Sequence, residues 1–266
     1  MELTFQVGLS TKYVGATQKI RILSEHWVST QVYCPNCGFP NMTRYKNNSP
    51  VADFFCSNCQ EDYELKGHQS ALGTRIVDGA YRTMIERLKA SNNPNLLLLG
   101  YDHRKLEVRN LIVIPKQFFV PDVIEQRRPL SPGARRAGWV GCNIRLDGIP
   151  GAGRIFMIRN GVTEAAKDVI SRWRQTLFLR EQPDLRSKGW LLSVMRCIDK
   201  LQPGVFFLAD MYGFESELMA TYPENQNVKP KIRQQLQILR DIGYLIFLGK
   251  GTYQLADRSA WNESTS

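Results

Sequence analysis

The sequence is short of long apolar runs, of acidic residues and of cysteines, and each shortage narrows what it can be. Apolar runs such as Leu96–Leu99 fall far below the roughly 20 residues that a membrane span requires. The start, MELTFQVGLS, lacks the basic and apolar regions of a secretory signal. A soluble, intracellular protein with no membrane partner is therefore expected. Asp and Glu number 25 against 35 Lys and Arg, a formal net charge of +10, which favours polyanionic partners and nucleic acid first among them. Six cysteines in a reducing compartment serve as thiols or metal ligands rather than disulfides. There is no internal repeat or low-complexity tract, a hydrophobic content of 43% supports a globular chain, and its 266 residues suit one large domain or a large one with a small companion.

Four of the cysteines form two Cys-x2-Cys pairs, Cys34/Cys37 and Cys56/Cys59, separated by eighteen residues. That spacing is the signature of a four-thiolate zinc site, and four thiolates close the tetrahedral shell, so the zinc is expected to hold structure rather than to catalyse. Cys142 and Cys197 have no partner motif and read as small core residues.

Hydrophobic spacing predicts helices over Lys12–Val28, Tyr81–Ala90 and Glu164–Leu179, and strands over Leu96–Tyr101, Leu106–Ile114 and Arg154–Arg159. Gly67–Asp78 reads as loop. Together these elements suggest a mixed α/β core. The polar stretch Glu181–Gly189 reads as a boundary, giving domains over 1–184 and 185–258 with a disordered tail over 259–266. Beyond the boundary come helices at Trp190–Leu201, Leu208–Ala220 and Lys229–Ile242. A hairpin then turns through Gly249-Lys250-Gly251, and three helices followed by a hairpin are the layout of a winged helix-turn-helix.

Ten residues separate Asp53 from Glu64, and Glu64-Leu65-Lys66 puts an acid and a base on one face of a strand, where side chains alternate with period two. With Asp53 on a neighbouring strand, two carboxylates and an ammonium would meet. Two carboxylates suit a hard cation such as Mg²⁺, and the lysine can orient or deprotonate a metal-bound water, which is the chemistry of phosphodiester hydrolysis. A bare Glu-x-Lys also fits a solvated strand face. In a basic α/β chain, the pattern Asp-x(n)-Glu-x-Lys resembles that of the PD-(D/E)xK nucleases. Cys56 and Cys59 lie between the two acids, so zinc would clamp their connection.

Arg127, Arg128, Arg135, Arg136 and Arg145 lie in a stretch without acids between Gln126 and Leu146. Arginines in such Pro- and Gly-rich loops suit phosphate contacts. Trp139, between Gly138 and Gly141, either reaches into a DNA groove or joins the core. On the helix at Lys229–Ile242, Ile232, Leu236 and Leu239 face inward. Lys231, Arg233, Gln234, Gln237 and Arg240 are left outward, with the chemistry to read guanine and adenine in the major groove. Such helices also bind proteins.

Three segments carry a closer resemblance: Pro50-Val-Ala-Asp-Phe with Glu64-Leu-Lys66, Ala134–Ile144, and Lys231–Asp241. The sequence resembles the DpnI-like, Dam-replacing family of methyl-directed type II restriction endonucleases. The resemblance implies a cytoplasmic bacterial enzyme, leaning to a monomer, that cuts double-stranded DNA at GATC bearing N6-methyladenine. It implies Asp53, Glu64 and Lys66 as catalytic residues with Mg²⁺, and Cys34, Cys37, Cys56 and Cys59 as zinc ligands. Trp139 would contact the methyl groups and the winged helix would read the same site. The competing readings are a non-catalytic zinc-ribbon and winged-helix regulator, and a nuclease indifferent to methylation.

Overall fold

The computed structural model describes residues 1–46, 52–69, 73–90, 92–182, 184–201 and 204–256. Pro50 and Val51 of the first motif, and the tail expected over 259–266, lie outside the described residues. In chain order the elements are α1 (Ala16–Gln31), β1 (Thr43–Arg44), β2 (Phe54–Phe55), β3 (Asp62–His68), β4 (Arg75–Ala80), α2 (Tyr81–Lys89), β5 (Asn95–Asp102) and β6 (Glu107–Ile114). There follow β7 (Ile124–Gln126), β8 (Gly141–Arg145), β9 (Ile155–Arg159), β10 (Val162–Thr163), α3 (Ala166–Arg174) and α4 (Leu185–Lys200). The last are β11 (Val205–Phe207), α5 (Leu208–Tyr212), α6 (Glu215–Thr221), α7 (Val228–Asp241), β12 (Leu245–Gly249) and β13 (Thr252–Leu255).

The chain groups into two compact units. The first comprises Met1–Thr74, Ala90–Lys116 and Ala152–Thr176. It contains a mixed sheet in the order β1-β2-β3-β5-β6-β9-β10, with β3 and β5 parallel and the other neighbours antiparallel. Leu96–Leu99 of β5 are buried without interruption, as a strand covered on both faces requires. On β3 the buried Tyr63 faces Trp173 of α3, with ring centroids 6.3 Å apart. By alternation, Glu64 and Lys66 lie on the opposite face of the sheet.

The second unit comprises Arg75–Lys89, Gln117–Gly151 and the chain from Leu177 onward. It contains the sheet β4-β8-β7 and a second sheet, β11-β13-β12. The β12–β13 turn is Lys250-Gly251, both with positive φ (47° and 74°), the conformation of a two-residue hairpin turn. On α7, Ile232, Leu236 and Leu239 are fully buried, as the periodicity predicts.

Several element boundaries differ from the sequence expectation. Gly67–Asp78 was expected to be loop, yet β3 runs to His68 and β4 starts at Arg75. Only Ile76 in β4 is buried, so pairing with β8, and not an apolar pattern, makes that strand. The helix expected from Trp190 starts earlier, at Leu185, because Asp184 caps it by accepting from the Ser187 N–H at 2.7 Å. The helix expected over Leu208–Ala220 is two, parted at Gly213 and Phe214. The helix expected to reach Leu179 ends at Arg174 and continues as a 3₁₀ turn over Leu177–Glu181.

Candidate functional site

The first unit brings Asp53, Glu64 and Lys66 together. Asp53 is one residue before β2, whose Phe54 pairs with Tyr63, so the antiparallel register sets it opposite Glu64. Its main-chain N–H donates to the Tyr63 carbonyl at 3.0 Å. Its side chain turns onto β3, where Oδ2 accepts the Leu65 N–H at 2.8 Å. Lys66 Nζ lies 2.6 Å from Glu64 Oε1. A residue between a glutamate and a lysine therefore gives its N–H to the aspartate, and all three side chains are half-buried.

A cleft of about 240 Å³ opens beside Asp53, bounded by Leu65 and Gly67 of β3, Tyr101 of β5, and Thr17, Arg21 and Glu25 of α1. Arg21 Nε donates to Glu25 Oε1 at 2.7 Å, and Glu25 Oε2 is ion-paired with Arg44 of β1. The hydrogen bond to Glu25, reinforced by its charge, holds the Arg21 guanidinium above its ordinary pKa. None of these α1 and β1 residues was singled out in the sequence. The available signal was an acid, Glu25, on the stripe of Leu23, Trp27 and Val28 that α1 buries.

The four knuckle cysteines converge, with sulfur atoms within 4.8 Å of one another. Cys34 Sγ is 3.5 Å from Cys59 Sγ, and Cys37 Sγ is 3.6 Å from Cys56 Sγ. Ligands about 2.3 Å from a tetrahedral zinc stand roughly 3.8 Å apart, so this group can bind zinc. The chain is bent to suit: Cys34 accepts the Gly38 N–H and Cys56 the Gln60 N–H through their carbonyls, with Gly38 and Gln60 both at positive φ. Burial pushes the Cys37 thiol up, but hydrogen bonds from Asn58 and the Phe39 main chain outweigh it and bring its pKa down to about 7. Burial pushes the Cys34 thiol up, which favours the thiolate there only with a cation close by. The other two cysteines, Cys142 and Cys197, are buried.

In the second unit, Arg127, Arg128, Arg135 and Arg136 lie exposed on the loop joining β7 to β8. That loop is closed by Arg127 N–H to Gly141 O at 2.9 Å and by Leu130 N–H to Trp139 O at 3.0 Å. Trp139 is not a core residue. It is half-buried, with the Arg136 guanidinium 4.5 Å over its ring. Arg145 belongs to β8 and pairs with Asp147 at 3.0 Å. On α7, Arg233, Gln234, Gln237 and Arg240 are exposed and Lys231 is half-buried. Lys231 Nζ donates to Gln234 Oε1 and Arg233 to the Tyr212 hydroxyl, each at 2.8 Å.

No helix among the described residues is long and apolar enough to cross a membrane. Two family profiles match the chain. One, described as the DpnI or Dam-replacing family, covers residues 1–182. The other, described as the Dam-replacing HTH domain, covers residues 186–255.

Proposed function

Because the chain belongs to the Dam-replacing family, we propose that it is a methylation-dependent restriction endonuclease, a monomer hydrolysing double-stranded DNA at GATC that contains N6-methyladenine. The observation that carries this reading is the 2.8 Å bond from the Leu65 N–H to Asp53 Oδ2. It ties the aspartate to the strand on which Glu64 and Lys66 are in contact. Two carboxylates and an ammonium on adjacent positions of two paired strands are the parts that a PD-(D/E)xK site needs.

In the hydrolysis a water oxygen forms a bond to phosphorus, one ester P–O bond breaks, and the departing oxygen takes up a proton. Asp53 and Glu64 offer the hard oxygen donors that Mg²⁺ takes, and the ion, when bound, would acidify water and offset phosphate charge. Lys66, held by Glu64, orients the attacking water. The four cysteines hold a structural zinc, which fixes the connection between Asp53 and Glu64. Positioning of catalytic groups must be good to about half an ångström, and a metal clamp on that connection supplies it.

Residues 1–184 carry out the cleavage in this reading, with the zinc site within them, and residues 185–258 form a winged-helix reader. Arg127, Arg128, Arg135 and Arg136 contact phosphates, and Trp139 meets the methyl groups that N6-methyladenine projects into the major groove. Lys231, Arg233, Gln234 and Gln237 of α7 contact the same sequence. Burying one methyl contributes only ~0.8 kcal/mol, roughly a fourfold preference. Two methyls per palindrome, read by two surfaces, multiply that preference, and groups left unpaired against unmethylated DNA add to it.

The test is plasmid from Dam-positive and Dam-negative hosts, incubated with the protein and Mg²⁺. Cleavage of the methylated plasmid alone supports the reading. Cleavage of both removes the methyl dependence, and cleavage of neither favours a DNA-binding regulator.

A further inference from the structure

The cleft beside Asp53 contains a cation that the Asp–Glu–Lys pattern does not account for. Arg21 projects from α1 with its side chain 56% exposed, while Glu25, one turn later, is only 6% exposed. An ordinary surface pair does not have this asymmetry, because it has no reason to strip water from the carboxylate. Helix stability does not explain it either: with the base preceding the acid by four residues, the pair has the weaker of the two orientations.

The geometry around Glu25 is that of a support. One carboxylate oxygen takes Arg21 Nε at 2.7 Å and the other is ion-paired with Arg44. Arg44 precedes Tyr45, whose N–H donates to the Asp53 carbonyl at 2.9 Å. The carboxylate that aims Arg21 is thus fixed from α1 and β1 together, and β1 is itself fastened to the main chain of Asp53. Only Nε of Arg21 is engaged, and among the described residues neither Nη group has a protein hydrogen-bond partner. A guanidinium held by one edge presents two donors in a fixed fork, the arrangement that matches two oxygens of a phosphate.

We propose that Arg21 is a phosphate-binding residue of the hydrolytic site, donating through Nη1 and Nη2 to the two non-bridging oxygens of the scissile phosphate, and that Glu25 is its positioning residue. The inference rests on the endonuclease reading. It adds to that reading a source of positive charge built into α1, separate from Lys66 and from any metal held by Asp53 and Glu64. In phosphoryl transfer charge collects on the non-bridging oxygens, and fixed donors aimed there act on the transition state more than on the bound ground state.

The experiment is single-turnover cleavage of a duplex oligonucleotide carrying N6-methyladenine in both strands of GATC, at saturating protein with Mg²⁺. Duplex affinity is measured separately by fluorescence anisotropy without the metal. Arg21→Ala is expected to slow cleavage about 100-fold with affinity changed less than about fivefold. Arg21→Lys is expected to recover only part of the rate, because an ammonium keeps the charge and loses the fork. Glu25→Gln, which still accepts from Nε but carries no charge, is expected to fall between wild type and Arg21→Ala in rate, again with affinity retained. Melting curves for each variant separate slow cleavage from unfolding, and where Arg21→Ala does not fold, Arg21→Lys decides the matter. Wild-type cleavage matched within twofold by a folded Arg21 variant overturns the role of Arg21 and leaves the endonuclease reading intact. A wild-type protein that cleaves no duplex overturns both.

Discussion

The Tyr63 hydroxyl stands 3.1 Å from Cys34 Sγ, in the interior between β3 and the cysteine cluster. Burial drives the tyrosine's pKa far up, so the hydroxyl keeps its proton and is the donor to a Cys34 thiolate. The same residue accepts the Asp53 N–H through its carbonyl and precedes Glu64 in the chain. One side chain therefore joins the four-sulfur group to the strand on which the candidate acid and base sit, a second-layer contact of the kind that orients metal ligands.

Removing the metal is the first consequence to test. The purified chain is expected to contain a single zinc, measurable by a colorimetric chelator assay after denaturation. Stripping it lowers the melting temperature and abolishes cleavage together, because β2 loses the anchor that sets Asp53 opposite Glu64. Tyr63→Phe removes only the hydroxyl. It is expected to cost about 2 kcal/mol in denaturant unfolding, the range for a hydrogen bond to a charged group, with zinc content unchanged. Metal-free protein that unfolds and cleaves like the zinc form would remove the structural role altogether.

Asp53 allows a substitution that separates charge from architecture. In Asp53→Asn the amide oxygen can still accept the Leu65 N–H, so the strand contact survives while the charge is lost. Cleavage is expected to fall by at least about 100-fold with the unfolding midpoint nearly unchanged. Activity within a fewfold of wild type would mean that the carboxylate takes no part in the reaction.

Trp139 is seated by a glycine. A Cβ on residue 141 would stand 2.8 Å from two carbons of the indole ring, too close for either group to stay put. Gly141→Ala should therefore displace the ring without deleting it. It is expected to weaken the preference for methylated over unmethylated duplex in the same direction as Trp139→Ala. For Trp139→Ala the loss should be roughly fourfold for each methyl no longer covered, read from paired affinities on the two duplexes. An unchanged ratio in both variants would assign methyl recognition elsewhere.

The sequence makes these sites legible where their signal is local. Two Cys-x2-Cys turns, the Glu64-x-Lys66 alternation and the inward trio on α7 each declare themselves within a few residues. The sheet β4-β8-β7 does not, because β4 buries only Ile76 and it is pairing with β8, some seventy residues on, that makes it a strand. The Arg21–Glu25 pair is hidden for a related reason. Its helix spacing is ordinary, and what distinguishes it is the position of Asp53 and Arg44 around it, a property of the fold. The start of α4 at Leu185 rather than Trp190 is hidden in the polar stretch Glu181–Gly189, since the polar residues that suggest a linker, Asp184 among them, are also those that start helices.

The second unit contains an ion cluster with a definite pH signature. Glu217 of α6 takes Lys200 at 2.6 Å and Arg196 at 3.0 Å, both from α4. The Lys200 hydrogen bond, against a smaller burial cost, holds the Glu217 carboxyl below its ordinary value of 4.5. In the unfolded chain the carboxyl takes up its proton at a higher pH than in the folded one. Its contribution is therefore fully present above 4.5 and disappears as pH falls through the lowered native value. With 36% of the Glu217 side chain exposed, solvent screening limits that contribution to less than about 1 kcal/mol. Glu217→Gln should accordingly unfold at slightly lower denaturant than wild type at neutral pH. The two should converge as pH falls below the lowered native value, where the wild-type carboxyl is protonated in both states. A gap that stays constant across this range would mean that packing of the side chain, and not its charge, joins α4 to α6.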